Sequence, residues 1–231
     1  MLDFSRCRFL TFDCYGTLID WETGIFSALR PILQNHGKSP ADERVLQLYG
    51  DFELQAEQTY QPYTDVLRDV VRGFGRELGF TPNQSEQDSL PGSLPNWQPW
   101  PDTVEALKKL KSRYQLAIIS NIDDGLFAKT FPKLGIDFDE VITAEQARCY
   151  KPCMAIFKLA LERTGADPKQ VLHIGQSLYH DVVPAKSLGM TTVWVNRPSA
   201  RPGIGAVKAI RATPDWEIRD LATLAGAAVP R

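Results

Sequence analysis

The sequence has few cysteines, few histidines and no long apolar run. Its 231 residues include four cysteines and three histidines, and its formal net charge is only −2. No apolar run approaches the roughly 20 residues that a helix needs to cross a bilayer, and no block of basic residues stands out. These absences argue against a membrane span and against nucleic acid as a partner.

The four cysteines form no recognisable metal or disulfide pattern. Cys149 and Cys153 lie four residues apart, but no nearby histidine or second cysteine pair completes a zinc site. The N-terminal sequence lacks the basic start and the long apolar stretch of a signal peptide, so we expect a cytosolic protein with free thiols. Cys14 neighbours an acid and a phenol, neither of which is a base, and it is therefore a poor candidate nucleophile.

What the sequence does contain is an abrupt change from apolar to polar residues near its start. The apolar run Phe9–Phe12 stops at Asp13, and Gly16 and Thr17 follow shortly after. This pattern predicts a buried strand that ends in a carboxylate and a tight loop. Ligands of open α/β sheets bind outside the carboxyl ends of the strands. Asp13 is therefore a candidate catalytic residue, although an acid in this place also serves as a simple helix or turn cap.

The residues after this loop predict helices and no strand. Apolar spacing typical of helices covers residues 23–35, about 42–54, and 63–78. Residues 81–101 are rich in Pro, Ser, Asn and Gln, which predicts a linker. We therefore expect a helical insertion, after which the chain returns to a sheet.

From residue 102 onwards the pattern alternates between strands and helices. Asp102 with Glu105 forms a capping-box pattern, and Asp123 is placed to cap the next helix. The tail is Pro/Gly-rich from Arg197 and then weakly helical at residues 218–224. Strands are predicted at residues 115–119, 141–142, 171–174 and 191–195. The alternation predicts an α/β fold with a mainly parallel sheet and helices on both faces.

Polar side chains gather at the ends of the predicted strands. They are Asp13 to Thr17, Ser120 with Asn121, Lys151 before a helix, and Gln176 to Asp181. Parallel strands bring their carboxyl ends to one edge of a sheet, so these groups are expected to meet there. Each alone has a simpler explanation as a turn residue, a solvated charge or a helix cap. Together, in this order, they favour an active site.

The order of these motifs resembles that of the haloacid dehalogenase superfamily. Its first motif, an acid followed after one residue by Asp-Gly-Thr, reads here Asp13-Cys14-Tyr15-Gly16-Thr17; the later motifs match Ser120, Lys151 and the segment ending at Asp181. The resemblance implies a Rossmann-like core of residues 1–17 and 99–231, with a helical cap domain of residues 18–98 inserted. It also implies that a homodimer can form.

Tyr15 separates two branches of that superfamily. Its phosphatases carry a second Asp at this place, which protonates the leaving alkoxide, and an acid near Gln176 that helps to hold magnesium. The L-2-haloacid dehalogenases carry Tyr, because a departing halide needs no proton, and this chain resembles them. The resemblance implies hydrolysis of a small 2-haloalkanoic acid to a 2-hydroxy acid, with no metal and no cofactor.

The resemblance also implies a role for each matched residue. Asp13 would attack the substrate carbon and carry an ester that water then hydrolyses, with Thr17 binding negative charge beside it. Lys151 would balance the charge of Asp13, and Asp181 would hold Lys151 and orient or deprotonate water. The residues expected to contact substrate are Tyr15, Ser120, Asn121 and Ser177.

Several departures from the dehalogenase pattern point to other reactions. No arginine lies within residues 49–53, where the dehalogenases have one that receives the halide; Arg44 and Arg68 are the nearest. Phe157 stands where they have Tyr, and Gln176 and Leu178 replace a Ser and an Asn. The first and fourth motifs resemble instead a sister group that includes L-azetidine-2-carboxylate hydrolase, which opens a strained C–N ring.

The departures leave three alternatives to dehalogenation. Ring opening at C–N needs a proton for the amine, brought by the substrate or supplied by an acid such as the His180–Asp181 pair. A phosphatase and a non-enzymatic binding module that keeps the fold are the other two. The aromatic side chains expected either to line a cap pocket or to pack between helices are Trp21, Tyr63, Trp97 and Trp100.

Overall fold

The fold is built on one parallel sheet. The computed structural model describes residues 2–197, 206, 208 and 210–230. Within these residues six strands lie in the order β3-β2-β1-β4-β5-β6, and every neighbouring pair is parallel. This is the Rossmann order, which confirms the predicted fold class. The strands are β1 Phe9–Phe12, β2 Gln115–Ser120, β3 Glu140–Thr143, β4 Val171–Gly175, β5 Thr191–Val195 and β6 Trp216–Ile218.

Strand β1 occupies a central place between β2 and β4. All four of its residues are buried, as expected for a strand that is covered on both faces. Its last residue, Phe12, lies beside Ile118 of β2 and Ile174 of β4. Asp13 therefore emerges from the middle of the sheet, with the ends of two other strands beside it.

Four of the five α-helices between β1 and β2 precede residue 94. They are α1 Trp21–Asn35, α2 Asp42–Ala56, α3 Tyr63–Leu78 and α4 Gln84–Ser93, and together they are called the cap below. The division into a cap domain of residues 18–98 and a core of residues 1–17 and 99–231 stays a prediction. The remaining helices are α5 Thr103–Lys111, α6 Asp124–Thr130, α7 Ala144–Ala147, α8 Met154–Thr164, α9 Val183–Ser187 and α10 Leu221–Ala228.

Helix α4 corrects the linker predicted for residues 81–101. The Asn83 side chain accepts from the Glu86 N–H, and the Glu86 carboxylate accepts from the Asn83 N–H, so that a complete capping box begins the helix. The carboxylate of Glu86 also contacts His36 Nε2 of α1 at 3.1 Å, while Leu90 is fully buried. The prolines and polar residues of this stretch obscured a helix that its capping box predicts.

Two predicted helix caps have other partners. The Asp102 carboxylate does not cap α5; it accepts from Arg197 Nη1 at 2.7 Å and from the Leu221 N–H at 2.6 Å. The Asp123 carboxylate does not cap α6; it accepts from the N–H groups of Tyr63 and Thr64 at 2.7 and 2.9 Å. Asp123 therefore caps α3, and it joins the cap to the end of β2.

The tail also differs from its prediction. Strand β6 was not predicted, and α10 begins at Leu221 rather than at residue 218, with the Asp220 carboxylate accepting from the Thr223 N–H at 2.7 Å. The Pro/Gly-rich residues 198–205 lie outside the described residues. Over the part of the chain that the structure describes, no helix is both long and apolar enough to cross a membrane.

Candidate active site

A cavity opens at the carboxyl edge of the sheet, between the sheet and the cap. Its volume is about 50 Å³, a few times the ~10–15 Å³ that one water requires, so that it suits a small ligand. Seven of the eight predicted site residues line it: Asp13, Tyr15, Ser120, Asn121, Lys151, Ser177 and Asp181. It is also lined by Trp21, Glu53, Glu57, Tyr63, Gln176 and His180.

Asp13 is held at both carboxylate oxygens. Lys151 Nζ donates to Oδ1 at 2.8 Å, and Thr17 Oγ1 donates to Oδ2 at 2.7 Å. Burial raises the pKa of Asp13, the Lys151 charge opposes that rise, and the nearby Asp181 charge adds to it. Lys151 thus favours the ionised form of this carboxylate against the effect of burial. Thr17 does not line the cavity; it lies behind Asp13 and positions it.

Lys151 joins Asp13 to Asp181. Its Nζ donates to Asp181 Oδ1 at 2.7 Å and to the Ile119 carbonyl at 3.0 Å, and the side chain is 2% exposed. Burial would lower the pKa of Lys151, but the two carboxylates outweigh burial and raise it. Burial alone would raise the pKa of Asp181, but the charge of Lys151 and a 3.3 Å contact to His173 Nε2 lower it. Lys151 and Asp181 are both ionised at neutral pH.

The turn after β4 places Asp181 against the sheet. Leu178–Val182 forms a π-helical turn, a conformation often found at functional sites. Ser177 caps this turn by accepting from the His180 N–H at 3.0 Å, so Asp181 is not a helix cap. A Cβ on Gly175 would lie 2.5 Å from the Cβ of Asp181. Only glycine at residue 175 allows this close approach.

The loop after β1 is packed against Gln176. Gly16 has a φ of +93°, and a Cβ there would lie 2.1 Å from Gln176 Oε1, so this position requires glycine. The Gln176 N–H donates to Thr17 Oγ1 at 2.8 Å.

The Tyr15 hydroxyl is 2.7 Å from Thr130 Oγ1, and the Tyr15 ring packs edge-on against Trp97. Burial raises the pKa of Tyr15 well above its usual value, so its phenol is a poor acid.

Asn121 links Lys151 to the cap. Its Oδ1 accepts from the Lys151 N–H at 2.7 Å, and its Nδ2 donates to Glu57 Oε1 at 3.2 Å. Asn121 therefore sets the position of the Lys151 backbone, while it also contacts the face of the cap that closes the cavity. Ser120 precedes it and is 1% exposed.

Two glutamates of the cap were not predicted. Glu53 Oε1 accepts from the Tyr63 hydroxyl at 2.6 Å and from the Tyr49 hydroxyl at 3.0 Å. Burial raises the pKa of Glu53 to about 7, although both phenols oppose the rise. Burial and the neighbouring Glu53 raise the pKa of Glu57 well above its usual value. Tyr49 and Glu53 lie on the face of α2 that also buries Leu46, and Glu57 follows four residues later as the C-cap of the helix. Acids at this spacing beside buried apolar residues were the signal in the sequence that could have identified them.

Two residues of this lining carry unpaired polar atoms. Among the described residues, the buried side-chain nitrogens without a hydrogen-bond partner are Trp21 Nε1 and His180 Nε2, and both residues line the cavity. Buried polar groups are nearly always paired in folded proteins, so these two nitrogens are available to water or to a polar ligand. Trp97 and Trp100 lie outside the lining, with their indole N–H groups donating to Ser93 Oγ and to the Gly16 carbonyl.

Comparison with known proteins settles the family. Residues 8–189 match the model of the haloacid dehalogenase-like hydrolases. The chain belongs to this family. It is 24% identical over 215 residues to an (S)-2-haloacid dehalogenase of Pseudomonas sp. (strain YL), covering 92% of this chain and 90% of that enzyme. It is 37% identical over 171 residues to a glyceraldehyde 3-phosphate phosphatase of Methanothermobacter thermautotrophicus, covering 71% and 74%.

A solved structure supports the fold of this haloacid dehalogenase-like hydrolase. The L-2-haloacid dehalogenase of Xanthobacter autotrophicus with chloropropionic acid covalently bound superposes with a TM-score of 0.77 at 21% identity, covering 95% of this chain and 97% of that one. The chain is therefore a hydrolase of this family, and both dehalogenases and phosphatases occur among its relatives.

The site does not suit the magnesium that phosphatases of this superfamily use. Magnesium prefers several oxygen ligands in an octahedral shell, and Tyr15 and Gln176 stand where the resemblance to those phosphatases would place carboxylates. Within the described residues, no three His, Cys, Asp or Glu side chains are grouped to hold a metal ion. Metal independence stays a prediction.

Proposed function

We propose that this protein hydrolyses a small 2-substituted carboxylic acid at C2, with Asp13 as the nucleophile and a 2-hydroxy acid as the product. The observation that carries the proposal is the fixed carboxylate of Asp13, which Lys151 and Thr17 hold at the wall of a small cavity. A carboxylate can displace a leaving group from a saturated carbon and remain as an ester. Inversion at C2 is the expected stereochemical result.

The proposed roles follow from the contacts. Lys151 keeps Asp13 ionised before attack and stays between two carboxylates throughout. Asp181 acts by holding Lys151, because its lowered pKa makes it a weak base for water. Water then attacks the carboxyl carbon of the Asp13 ester, which releases the 2-hydroxy acid and restores the carboxylate. Tyr15, Ser120, Asn121 and Ser177 line the cavity where the substrate would lie.

Two leaving groups fit this reaction. Halide is supported by the haloacid dehalogenases among the relatives. It is also supported by Tyr15, because its hydroxyl contacts Thr130 and its phenol is a poor acid, whereas a departing halide needs no proton. An amine nitrogen is supported by the carboxyls of Glu53 and Glu57 on the cap side of the cavity. A departing halide gains negative charge and needs a donor, whereas an amine can use an acid.

Isotope labelling tests the nucleophile for either leaving group. With enzyme in excess over substrate in H2¹⁸O, label should enter the Asp13 carboxylate, and a second turnover should carry it into the product. Asp13→Asn should abolish the reaction, while Asp137→Asn, at an exposed acid away from the cavity, should leave it intact. Label that appears in product during the first turnover, with none in Asp13, contradicts the proposal.

A panel of three substrates separates the reactions. L-2-chloropropionate reports halide release, L-azetidine-2-carboxylate reports formation of 2-hydroxy-4-aminobutyrate, and an aryl phosphate reports phosphatase activity. Hydrolysis of either carboxylic acid agrees with the proposal. Hydrolysis of the phosphate alone would show that the chain acts like its phosphatase relatives.

A further inference from the structure

One buried histidine lies outside the cavity and yet reaches its charged residues. His173 is the third residue of β4, its side chain is 1% exposed, and it is not part of the cavity lining. Its Nδ1 lies 2.9 Å from Oγ1 of Thr11, its register partner on β1, and its Nε2 lies 3.3 Å from Asp181 Oδ1. The ring also packs edge-on against Phe157. These contacts hold the imidazole in one orientation against the Asp181 carboxylate.

The contact with Asp181 indicates that Nε2 carries a proton. The charge of Lys151 keeps Asp181 ionised, and the oxygens of an ionised carboxylate can only accept hydrogen bonds. An Nε2 without a proton would place a second acceptor against Oδ1 in a buried setting, which an N–H donated to Oδ1 avoids. The Thr11 hydroxyl can donate or accept, so it orients the ring whether or not Nδ1 is protonated.

Asp181 Oδ1 therefore has two nitrogen donors among the described residues. Lys151 Nζ donates to it at 2.7 Å, and His173 Nε2 contacts it at 3.3 Å. The other oxygen, Oδ2, accepts from the Ser177 N–H at 3.2 Å. Burial raises the pKa of Asp181, and Lys151 and His173 both lower it. His173 thus supports the ionised form of Asp181 independently of Lys151.

The charge around Lys151 changes during the proposed reaction. While Asp13 is free, the Lys151 ammonium lies between two carboxylates. Once Asp13 carries the ester it is neutral, and Asp181 is the carboxylate that still binds Lys151. A buried ion pair can lose both charges when the proton passes from nitrogen to oxygen, because burial disfavours each charged form. A neutral Lys151 could not stabilise the negative charge that develops as water attacks the ester.

We propose that His173 is a positioning residue for hydrolysis of the Asp13 ester: its Nε2–H holds Asp181 as a carboxylate, and Asp181 in turn keeps Lys151 as an ammonium while Asp13 is neutral. The inference rests on the proposed function, because it concerns the ester that Asp13 carries. His173 neither gains nor loses a proton in this role and does not touch the substrate. Formation of the ester depends less on His173, because the Asp13 carboxylate itself then supports the charge of Lys151.

Nitrogen NMR of the resting protein tests the proton on Nε2 without any substrate. The chain has three histidines, so ¹⁵N-labelled histidine gives three imidazole spin systems, and His36→Gln and His180→Gln identify the signals of His173 by elimination. At pH 7.5 we expect Nε2 of His173 to carry a proton. A His173 whose Nε2 has no proton at this pH overturns the proposal.

Single-turnover kinetics test the step at which His173 acts. His173→Phe keeps a ring but removes the N–H, and ester hydrolysis should slow by about 10–100-fold, the range expected for loss of a hydrogen bond to a charged group. Ester formation should change much less, so the ester should accumulate and raise the mass of the intact protein. His173→Gln can place an amide N–H near Asp181 and should restore most of the rate. His36→Phe, at a histidine that contacts Glu86 in the cap, should leave both steps unchanged.

The pH dependence separates this role from packing alone. Asp181 interacts with Lys151, His173, Asp13 and His180. Loss of the Nε2–H raises the pKa of Asp181, so hydrolysis should begin to slow at a higher pH in His173→Phe than in the wild type, as pH falls. His173→Gln should reverse this shift. If His173→Phe does not fold, Thr11→Val keeps the imidazole without its anchor and should give a smaller change of the same sign.

Two outcomes separate this inference from the proposed function. An Asp13 ester that forms in the wild type and is hydrolysed as fast in the variants of His173 and Thr11 overturns the inference alone. Equal slowing of formation and hydrolysis does the same, since it indicates a general loss of structure. A wild type in which Asp13 never carries an ester overturns the proposed function and this role together.

Discussion

Replacing Lys151 with methionine should leave two buried carboxylates without their shared cation. Methionine fills a similar volume, so the change mainly removes three hydrogen bonds, to Asp13, Asp181 and the Ile119 carbonyl. Lys151 and Asp181 are almost fully buried. Breaking a buried ion pair from one side costs about 3–5 kcal/mol, which corresponds to a fall in Tm of about 6–20 °C for a chain of this size.

The effect of this substitution on stability should depend on pH. In the variant, burial and mutual repulsion raise the pKa of Asp13 and Asp181 above the unfolded value of about 3.9. A carboxyl whose folded pKa is raised destabilises the fold increasingly as pH rises through that pKa. The loss of stability should therefore be larger at pH 7.5 than at pH 5, because protons neutralise the unpaired carboxylates at the lower pH.

Urea unfolding followed by tryptophan fluorescence measures this loss. Lys158→Met, at an exposed lysine on α8, is the matched control, and its free energy of unfolding should change by less than about 0.5 kcal/mol. Activity of Lys151→Met should fall by about 10²–10³-fold, since a protonated Asp13 cannot attack. If Lys151→Met unfolds at the same urea concentration as Lys158→Met at pH 7.5, the account of a buried charge network is wrong.

Two further predictions concern the metal and the cap. Turnover of whichever substrate is cleaved should be unchanged in excess chelator, because Tyr15 and Gln176 provide no carboxylate; activity that disappears with chelator and returns with magnesium would indicate a phosphatase. Asp123→Ala should remove the cap of α3 and lower the free energy of unfolding by about 0.5–2 kcal/mol, with faster hydrogen exchange in the first turn of α3, because Asp123 accepts from Tyr63 and Thr64. Asp137→Ala, at an exposed acid, should do neither, and equal exchange in the two variants would contradict the assigned cap.

Local patterns in the sequence were enough to predict the parallel sheet and the edge at which its polar groups meet. The apolar run before Asp13 and the alternation after residue 102 each depend on neighbouring residues, so a short window of sequence carries the information. The carboxyl ends of parallel strands share an edge, which is why Asp13, Ser120, Lys151 and Asp181 could be grouped across more than 160 positions of chain.

Local patterns failed where a side chain has a partner on another element. Asp123 sits at the start of α6 as a cap would, yet it binds the first turn of α3, some 60 positions earlier. Asp102 likewise binds Arg197 and the start of α10. A short carboxylate bonds whichever N–H groups the packing brings to it, and the sequence around it does not show which groups those are.

The cap wall of the cavity was decided by tertiary structure alone. The sequence shows only that Glu53 and Glu57 are spaced four residues apart at the end of a predicted helix, which a solvated helix also allows. Packing of α2 and α3 over the sheet turns that face towards Asp13, buries Glu53 beside the Tyr49 and Tyr63 phenols, and raises its pKa to about 7. The burial of a charge depends on all the elements around it, so the raised pKa of Glu53 could be inferred only from the folded structure.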